Sequence, residues 1–420
     1  MIFMRCIKPL LLSLILYCLV TVFFACATRT KAPVVLENTD TAKSQEPSIK
    51  PEMLPAGAEA ELTEHIEAEA EAVIPKEYRI RLTFAGDIMA HSNVTRMTDF
   101  SLIYADIVSI TLSDDLTFAN LETPVHEDRP YENYPTFNVK QGFVEAAVEG
   151  GFDVFSLANN HTNDQGKSGI HKTHEYFSLL RKNDIYSAGI KTDTSIELTY
   201  EIIEKNGFVL LFAAFTEILN SSSYKDYIDY FTTSNSSREI LKQQLISIRE
   251  KHPCDLFILS IHTFEPEYVI EVTKSRKTFY YDLLECGIDI VWANHPHVMR
   301  EWELVEDSQT GLLTKAVFYG MGNTISGQRY VYNFDNPSAI REYTGDSMLF
   351  QLEFVKKDDV KPSISKTQQY LITTHIDSHK NSLIKIMTQE FIDSQDIQYK
   401  NYYTKRLELL KKIKGTTLCP

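Results

Sequence analysis

Short apolar runs, each followed by a polar cluster, recur along this 420-residue chain and constrain its fold more than any other feature. Their length and composition predict β-strands. Helical patterns lie between several of them, at residues 171–182, 236–251 and 276–285. This alternation predicts an α/β fold in which helices cover the sheets. The predicted strands comprise residues 79–84, 116–119, 154–157, 209–213, 256–260, 288–292 and 316–319, with a further candidate at 347–355.

Five of these runs end directly before side chains that commonly bind metal ions. The carboxyl ends of strands form the ligand crevice of open α/β folds, so we expect the five clusters to converge there. One such cluster would be weak support for a metal site, whereas five in order along the chain together favour one. The clusters are Asp87 with His91; Asn120 with Glu122; Asn159, Asn160 and His161; His262, Glu265 and Glu267; and Asn294, His295 and His297.

The donor types in these clusters favour a site for two divalent metal ions. Carboxylate, amide and imidazole groups suit Mn, Fe, Zn or Mg and are poor ligands for copper(I) or iron–sulfur clusters. Two ions about 3.5–4 Å apart, bridged by a carboxylate, activate water and clamp the oxygens of a phosphoryl group. His295 and His297 are two residues apart, so in an extended segment both imidazoles lie on one side.

Several segments together resemble successive motifs of the CapA (PgsA) polyglutamate-capsule family. The resemblance covers about residues 79–353 in order and spacing. It implies a four-layer α/β/β/α sandwich similar to calcineurin-like metallophosphoesterases, with a dinuclear metal centre. It also implies membership of a membrane complex for polymer synthesis and export. The matching segments are residues 84–89, 119–124, 158–161 with Asp164 and Gly166, 294–298 and 319–323.

The resemblance also implies a role for individual residues. Glu122 stands where metallophosphoesterases usually have a bridging Asp, and His161 would contact substrate or give a proton to the leaving group. His91 is a second catalytic candidate, since it can substitute for the missing histidine of an Asp-x-His motif at Met89. The predicted metal ligands are Asp87, Glu122, Asn160, His262, His295 and His297, and the predicted substrate-binding residues are Asn120, Asn159, Glu267 and Asn323.

Two departures from the family pattern leave catalysis open. Residues 262–268 read HTFEPEY where the family usually has His-Trp-Gly-x-Glu-Tyr, and residues 293–297 read ANHPH where it usually has Gly-His-His-Pro-His. A phosphoesterase-type hydrolase and a non-catalytic scaffold or polymer-binding subunit of a synthesis complex therefore remain alternative hypotheses. A third is a surface lipoprotein that binds a ligand for another role.

Each site residue also has a structural interpretation. Asp87 can cap a helix, Glu122 can be a solvated loop acid, and residues 159–161 can form a turn. The histidines can be satisfied core residues, and residues 320–323 can shape a loop without touching substrate. No Gly-x-Ser-x-Gly elbow and no phosphate-binding glycine loop occurs in the sequence, so neither a serine hydrolase nor a nucleotide-binding fold is favoured.

The first 26 residues are typical of a lipoprotein signal peptide. Arg5 and Lys8 precede an apolar stretch at 10–24, and Cys26 follows a sequence that resembles a lipobox. We therefore expect an exported protein held at the cell membrane or outer membrane by lipid on Cys26, although an uncleaved anchor helix is the alternative. Residues 27–76, rich in Ala and Glu, predict a flexible acidic linker.

The remaining chain predicts one domain and an appendage. Residues 77–355 form the predicted catalytic-type domain, and residues 356–420 an accessory tail of loop followed by a Lys-rich helix at 396–414. Cys254 and Cys286 each precede an apolar run, which favours buried free thiols; a disulfide between them is the alternative.

The net charge of -15 excludes some partners. Nucleic-acid binding requires clustered Lys and Arg, so it is disfavoured. If the substrate is an anionic polymer or a phosphoester, a metal or a local basic pocket must hold it. The other expected partners are the membrane, through the lipid anchor, and capsule synthase subunits.

Overall fold

The apolar runs form the strands of two β-sheets in the computed structural model, which describes residues 76–358 and 360–418. The strands are β1 Glu77–Ile88, β2 Leu116–Leu121, β3 Val154–Ser156, β4 Tyr186–Ala188, β5 Tyr200–Lys205, β6 Phe208–Thr216, β7 Leu256–His262, β8 Ile290–Asn294, β9 Trp302–Glu306, β10 Leu313–Phe318, β11 Asn323–Ile325, β12 Asp346–Lys357, β13 Ser363–Ile376, β14 Ser382–Ile386 and β15 Gly415–Leu418.

Helices connect many of these strands. The α-helices are α1 Ser92–Thr95, α2 Val108–Thr111, α3 Gln141–Glu149, α4 Gly166–Leu180, α5 Asn235–Lys251, α6 Lys274–Glu285, α7 Gln389–Asp393 and α8 Ile397–Leu410. Single 3₁₀ turns occupy Ser101–Ile103, Arg181–Asn183 and Lys225–Tyr227, and a longer 3₁₀ segment occupies Ile340–Gly345. The side chains of Ser234, Thr273 and Asp396 cap α5, α6 and α8 by accepting backbone N–H bonds.

Both sheets are built around parallel strands. The first has the order β14-β13-β12-β1-β2-β3-β4, with β11 also paired to β1, and the second has the order β15-β9-β10-β8-β7-β6-β5. Strands β1 to β4 are parallel neighbours, and β6, β7, β8 and β10 are parallel in the second sheet. Because these strands run in one direction within each sheet, their carboxyl ends lie along one edge.

Three hydrophobic clusters define four layers. The largest lies between the sheets and joins Phe84 and Phe118 of the first to Phe212 and Trp292 of the second. A second cluster packs α3 and α4 on the outer face of the first sheet, and a third packs α5 and α6 on the outer face of the second. The predicted α/β/β/α sandwich is therefore confirmed. The indole Nε1 of Trp292 also donates to the carbonyl of Ala85 at 2.9 Å, which ties the two sheets together beside the strand ends.

The C-terminal segment differs from the predicted accessory tail. Strand β12 crosses the expected boundary at residue 355 and lies between β1 and β13 rather than at the edge of the sheet. β13 and β14 continue the first sheet, and β15 pairs with β9 of the second. The predicted Lys-rich helix is present as α8. Residues 360–418 thus complete both sheets and belong to the same compact unit as the rest of the described chain.

A buried network of charges holds α8 to the sandwich. The carboxylate of Asp346 accepts from Arg329 Nη1 at 2.9 Å and from Arg406 Nε at 2.7 Å, and all three side chains are fully buried. The hydroxyl of Tyr402 donates to Glu342. Burial of ions is costly unless each is paired and hydrogen-bonded, so this network fixes α8 in one position.

Several expectations concern other parts of the chain. Cys254 and Cys286 are free thiols, so the alternative of a disulfide between them is wrong. The predicted signal sequence, Cys26 and the predicted linker up to residue 75 lie outside the described residues. Among the described helices, none has the length and apolar character needed to cross a bilayer.

Candidate metal centre

The carboxyl ends of five parallel strands from both sheets meet at the site. β1 extends over Asp87, Glu122 follows β2 directly, and residues 159–161 follow β3. From the second sheet, His262 is the last residue of β7, and His295 and His297 follow β8. The predicted convergence of the polar clusters is therefore what the fold produces.

Three overlapping sets of side chains have ligand atoms close enough to hold a metal ion. The atoms of each set lie within 4.8 Å of one another. Glu122 belongs to two sets, and its Oε1 lies 3.7 Å from His262 Nε2 and 3.8 Å from His297 Nε2. A carboxylate between two sets is the arrangement that a bridging ligand requires. The sets are Asp87, Glu122 and His297; Glu122, His262 and His295; and Glu267, His295 and His297.

Two asparagines link these sets. Asn120 Nδ2 donates to Asp87 Oδ1 at 2.8 Å and lies 3.3 Å from His262 Nδ1. Asn160 Oδ1 lies 2.8 Å from His262 Nε2. Asn120 was expected to contact substrate, but it is fully buried and orients Asp87 instead. Asn160 Oδ1 remains a candidate ligand beside His262.

The backbone at the site is strained or crowded in two places. His295 has φ 97° and His297 has φ 57°, a region that non-glycine residues adopt only at a cost. Gly86 lies against the backbone of Gly322, and a Cβ at position 86 would be 1.8 Å from the Gly322 carbonyl oxygen. The segment 320–323 therefore shapes the site, since Gly322 accepts from the N–H of Asp87 at 3.0 Å.

The electrostatics of the site favour a bound cation. Burial, together with the nearby carboxylates of Asp87, Glu267 and Asp164, raises the pKa of Glu122 well above its ordinary value. Burial and the neighbouring imidazoles lower the pKa values of His262 and His295 well below the ordinary histidine value. Both directions follow from close packing of donor groups in a buried site, which is the environment that a cation would stabilise.

The residues present fit divalent metal ions. Within the described chain, both carboxylate oxygens of Glu122, the Oδ1 of Asn120 and the Nδ1 of His295 are buried without a hydrogen-bond partner. An unpartnered buried carboxylate is costly, and coordination to a cation removes that cost. The interpretations of Glu122 as a solvated acid and of Asp87 as a helix cap are both wrong, because both side chains are buried and His91 precedes α1.

His161 occupies a separate position beside the candidate metal ligands. Its Nδ1 lies 2.7 Å from Asp164 Oδ2 and 3.3 Å from the amide nitrogen of Asn220. The ring packs edge-on against Phe137 at a centroid distance of 4.6 Å. A carboxylate on Nδ1 fixes the ring orientation and tautomer and leaves Nε2 for proton transfer.

His91 lines a cleft over the site together with His161 and His297. It is in none of the three ligand sets found in the described chain. Its Nδ1 accepts from the N–H of Gly327 at 3.2 Å. Burial lowers its pKa to about 3, so the imidazole is neutral at physiological pH. His91 thus lies near enough to meet a substrate, while the geometry gives no place for it as the ligand missing at Met89.

Of the three other predicted substrate contacts, Asn159 and Asn323 have different surroundings and Glu267 lies in the cleft. Asn159 is buried; its Nδ2 donates to the Leu121 carbonyl at 2.8 Å and its Oδ1 accepts from the His161 N–H at 3.1 Å. Asn323 is buried against His297, with 3.0 Å between its Oδ1 and Nδ1. Both therefore position other groups. Glu267 is exposed and lines the cleft, where it is also a possible ligand beside His295 and His297.

Sequence reasoning missed three residues around the site. Asn220 joins Asn160 to His161, and Glu217 accepts from Thr263 and from Arg276 next to His262. Arg341 lines the cleft. Asn220 and Glu217 lie just beyond β6, a strand end for which the sequence predicts no metal-binding cluster. Arg341 carries no local signal, because only tertiary structure brings it to the cleft.

The fold and this cluster of carboxylates, amides and imidazoles define a metallophosphoesterase-like α/β sandwich. A family described as "Bacterial capsule synthesis protein PGA_cap" matches residues 81–328, and the chain belongs to that family. It is similar to the "Capsule biosynthesis protein CapA" of Bacillus anthracis, with 26% identity over 290 residues that cover 65% of this chain and 66% of the relative.

Two solved structures are also similar. A hypothetical protein from Thermus thermophilus matches with a TM-score of 0.39 and 16% identity, over 70% of this chain and 98% of the other. A 5'-nucleotidase from Candida albicans matches with a TM-score of 0.40 and 13% identity, over 80% of this chain and 57% of the other. Similarity at this level carries no argument about function.

Proposed function

We propose that this chain is an envelope-anchored protein of poly-γ-glutamate capsule or exopolymer biosynthesis that acts through a dinuclear, metallophosphoesterase-type site. The observation that carries the proposal is the buried, unpartnered carboxylate of Glu122 between His262 and His297. Family membership supports the capsule role.

The residues divide into those that hold metal and those that act on substrate. Asp87, Glu122, His262, His295 and His297 would hold the ions with Asn160, and Asn120 orients Asp87. Two bound ions supply Lewis acidity, which stabilises negative charge that develops on a phosphoryl or acyl oxygen. His161, held by Asp164, is placed to give a proton to the leaving oxygen.

A second candidate function is a non-catalytic scaffold for polymer or synthase subunits. The observation that favours it is Met89, which stands where metallophosphoesterases have a metal-binding histidine. His91 belongs to none of the three ligand sets in the described chain, so it does not replace that histidine. In that case the ions, if bound, would stabilise the strand ends without supporting hydrolysis.

Complementation separates the two functions. The host gene is deleted, and capsule or exopolymer is measured by staining and by polymer yield after re-expression of the wild type, Asp87→Ala or His161→Asn. The enzyme proposal expects polymer processing to be lost with both variants. Full rescue by His161→Asn and Asp87→Ala, with each protein present at wild-type level, contradicts it and favours the scaffold. Hydrolysis of a chromogenic phosphodiester by the purified, metal-loaded protein is the matching measurement in vitro.

Anchoring at the envelope is a separate part of the proposal. Cys26→Ser should release the protein from the membrane fraction into the soluble extracytoplasmic fraction and abolish incorporation of labelled palmitate. Retention of Cys26→Ser in the membrane would instead indicate the uncleaved anchor helix.

A further inference from the structure

The cleft over the candidate metal centre contains a single guanidinium group. It has a volume of about 320 Å³, and Arg341 is the one Lys or Arg among its lining residues in the described chain. The candidate metal ligand His297, the candidate acid His161 and the carboxylate of Glu267 line the same cleft. Arg341 is exposed, so its charge is available to a ligand.

The negative charge of the chain and of the site indicates a role for this arginine in binding an acidic substrate. The chain has a net charge of -15, and Asp87, Glu122 and Glu267 place three carboxylates at the site. An acidic substrate that enters here needs positive charge at the site, which a basic side chain supplies in addition to any bound metal. A guanidinium group binds carboxylate and phosphate through paired N–H donors, which a metal ion does not offer.

The backbone that carries Arg341 is tied to the metal centre and to the core. Asn323 contacts His297 at 3.0 Å and donates from Nδ2 to the Thr344 carbonyl at 2.8 Å, within the same 3₁₀ segment as Arg341. Arg341 Nη1 donates to the Gln328 carbonyl at 2.9 Å. Its orientation toward the cleft is therefore supported from two directions.

A second depression begins at the same arginine. It has a volume of about 450 Å³, and it shares Tyr330 and Arg341 with the first. Tyr332, Phe334 and Gln398 are among its other lining residues. Both side chains at the junction are exposed, so a ligand can extend from one depression into the other past Arg341.

We propose that Arg341 binds an acidic group of the substrate at the junction of these two depressions and determines the specificity of the site for extended anionic chains. The inference rests on the proposed function and names the substrate feature that this residue recognises. The group bound is a carboxylate or a phosphate, because both accept paired N–H donors.

Binding by the full-length protein tests the inference. Isothermal titration uses three probes: a γ-linked glutamate hexamer, the uncharged γ-linked glutamine hexamer and inorganic phosphate. Arg341→Gln should weaken binding of the glutamate hexamer about tenfold or more, since hydrogen bonds between charged groups are among the strong ones. Arg341→Lys should fall between wild type and Arg341→Gln. The glutamine hexamer should bind weakly to all variants.

A matched control comes from Arg96, which is also exposed and also donates to a single backbone carbonyl, that of Lys380, at 3.0 Å. Arg96→Gln should leave every affinity unchanged. If Arg341→Gln loses affinity for inorganic phosphate alone, the result supports the inference, with phosphate as the group that Arg341 recognises. Equal affinity of wild type and Arg341→Gln for both acidic probes overturns it, as does a complete lack of binding of both.

Failure of the proposed function is distinguishable from failure of this inference. The titrations are repeated on protein stripped of metal, in which Arg341 acts without bound ions. A wild type that takes up no metal contradicts the proposed function, whereas an Arg341-dependent affinity in the stripped protein still supports the role of Arg341.

Discussion

Glu122, His262 and His295 illustrate how single residues at this site depart from the rules for buried polar groups. All three are buried, and Glu122 and His295 have atoms without partners in the described chain. The motif order was sufficient to predict that these side chains come together, because each lies at or just beyond the end of an apolar run. The roles of Asn159 and Asn323 were not predictable, because which atoms they bond depends on contacts between distant segments.

Asp164 is expected to position His161 for proton transfer. In Asp164→Asn the ring keeps a neighbour of similar shape but loses the carboxylate on Nδ1. We expect kcat for a chromogenic phosphodiester to fall about 10–100-fold, since general acid catalysis contributes roughly that or more. KM and metal content should stay near the wild-type values. An unchanged kcat would show that His161 does not act as the acid.

Gly86 is expected to tolerate no side chain. A Cβ would lie 1.8 Å from the Gly322 carbonyl oxygen, so Gly86→Ala must displace backbone beside Asp87. We expect a loss of about 3 kcal/mol or more in the free energy of unfolding, the range of severe core mutations. Gly142→Ala in α3 is the control, because its nearest neighbour is 3.8 Å away. Urea denaturation measures both, and similar stabilities would contradict the expectation.

At the scale of elements, the central strands and three of the helices that cover them, α4, α5 and α6, follow from the sequence, whereas α3 and the strands after β12 do not. β6, β7 and β8 are apolar runs with clear ends, whereas β13 is a long strand with exposed polar residues at its centre. Such a strand lacks the alternation that predicts a buried face. Its pairing with β12 is decided by tertiary structure.

Helix α8 is expected to depend on the buried ion network. Burial alone would raise the pKa of Asp346. The guanidinium groups of Arg406 and Arg329 outweigh burial and lower this pKa below its ordinary value. Arg406→Gln removes one of these charges and should cost about 3–5 kcal/mol of unfolding free energy, as breaking a buried pair does. The neighbouring Lys405→Gln, at an exposed pair with Glu408, should cost less than about 1 kcal/mol. Equal urea midpoints for the two variants would refute this.

His375 gives β13 and α8 a pH-dependent contact. Its Nδ1 lies 2.8 Å from the Tyr403 hydroxyl, and burial lowers its pKa to about 4. In the unfolded chain the pKa of His375 is about 6.5, so at a pH between 6.5 and 4 the unfolded chain binds a proton at this residue more readily than the folded chain does. Stability therefore falls as the pH drops from about 6.5 toward 4. After allowance for the partial exposure of His375, the free energy of unfolding should fall between pH 7 and pH 5 by about 1 kcal/mol more in the wild type than in His375→Gln. Parallel urea titrations at both pH values measure this difference, and equal losses would contradict it.

At the scale of the whole molecule, the layered architecture was predictable from the sequence, whereas the position at which the domain ends was not. Strand–helix alternation predicted the four layers, and the motif order predicted which strand ends meet. The boundary at residue 355 was misplaced, because the sequence does not show that residues 360–418 complete both sheets. Arg341 was missed for the same reason: the 3₁₀ segment that carries it is fixed by Asn323 and α8 rather than by its own sequence.

Metal stoichiometry tests the central claim most directly. The full-length protein is loaded with Mn or Zn, desalted and measured by mass spectrometry, with Asp87→Ala, His295→Ala and the exposed His379→Ala as control. The account predicts about two equivalents per chain in the wild type and in the control, as a dinuclear site requires. It predicts sharply fewer in Asp87→Ala and His295→Ala. A folded wild type that takes up no metal, or equal metal content in all four proteins, would contradict it.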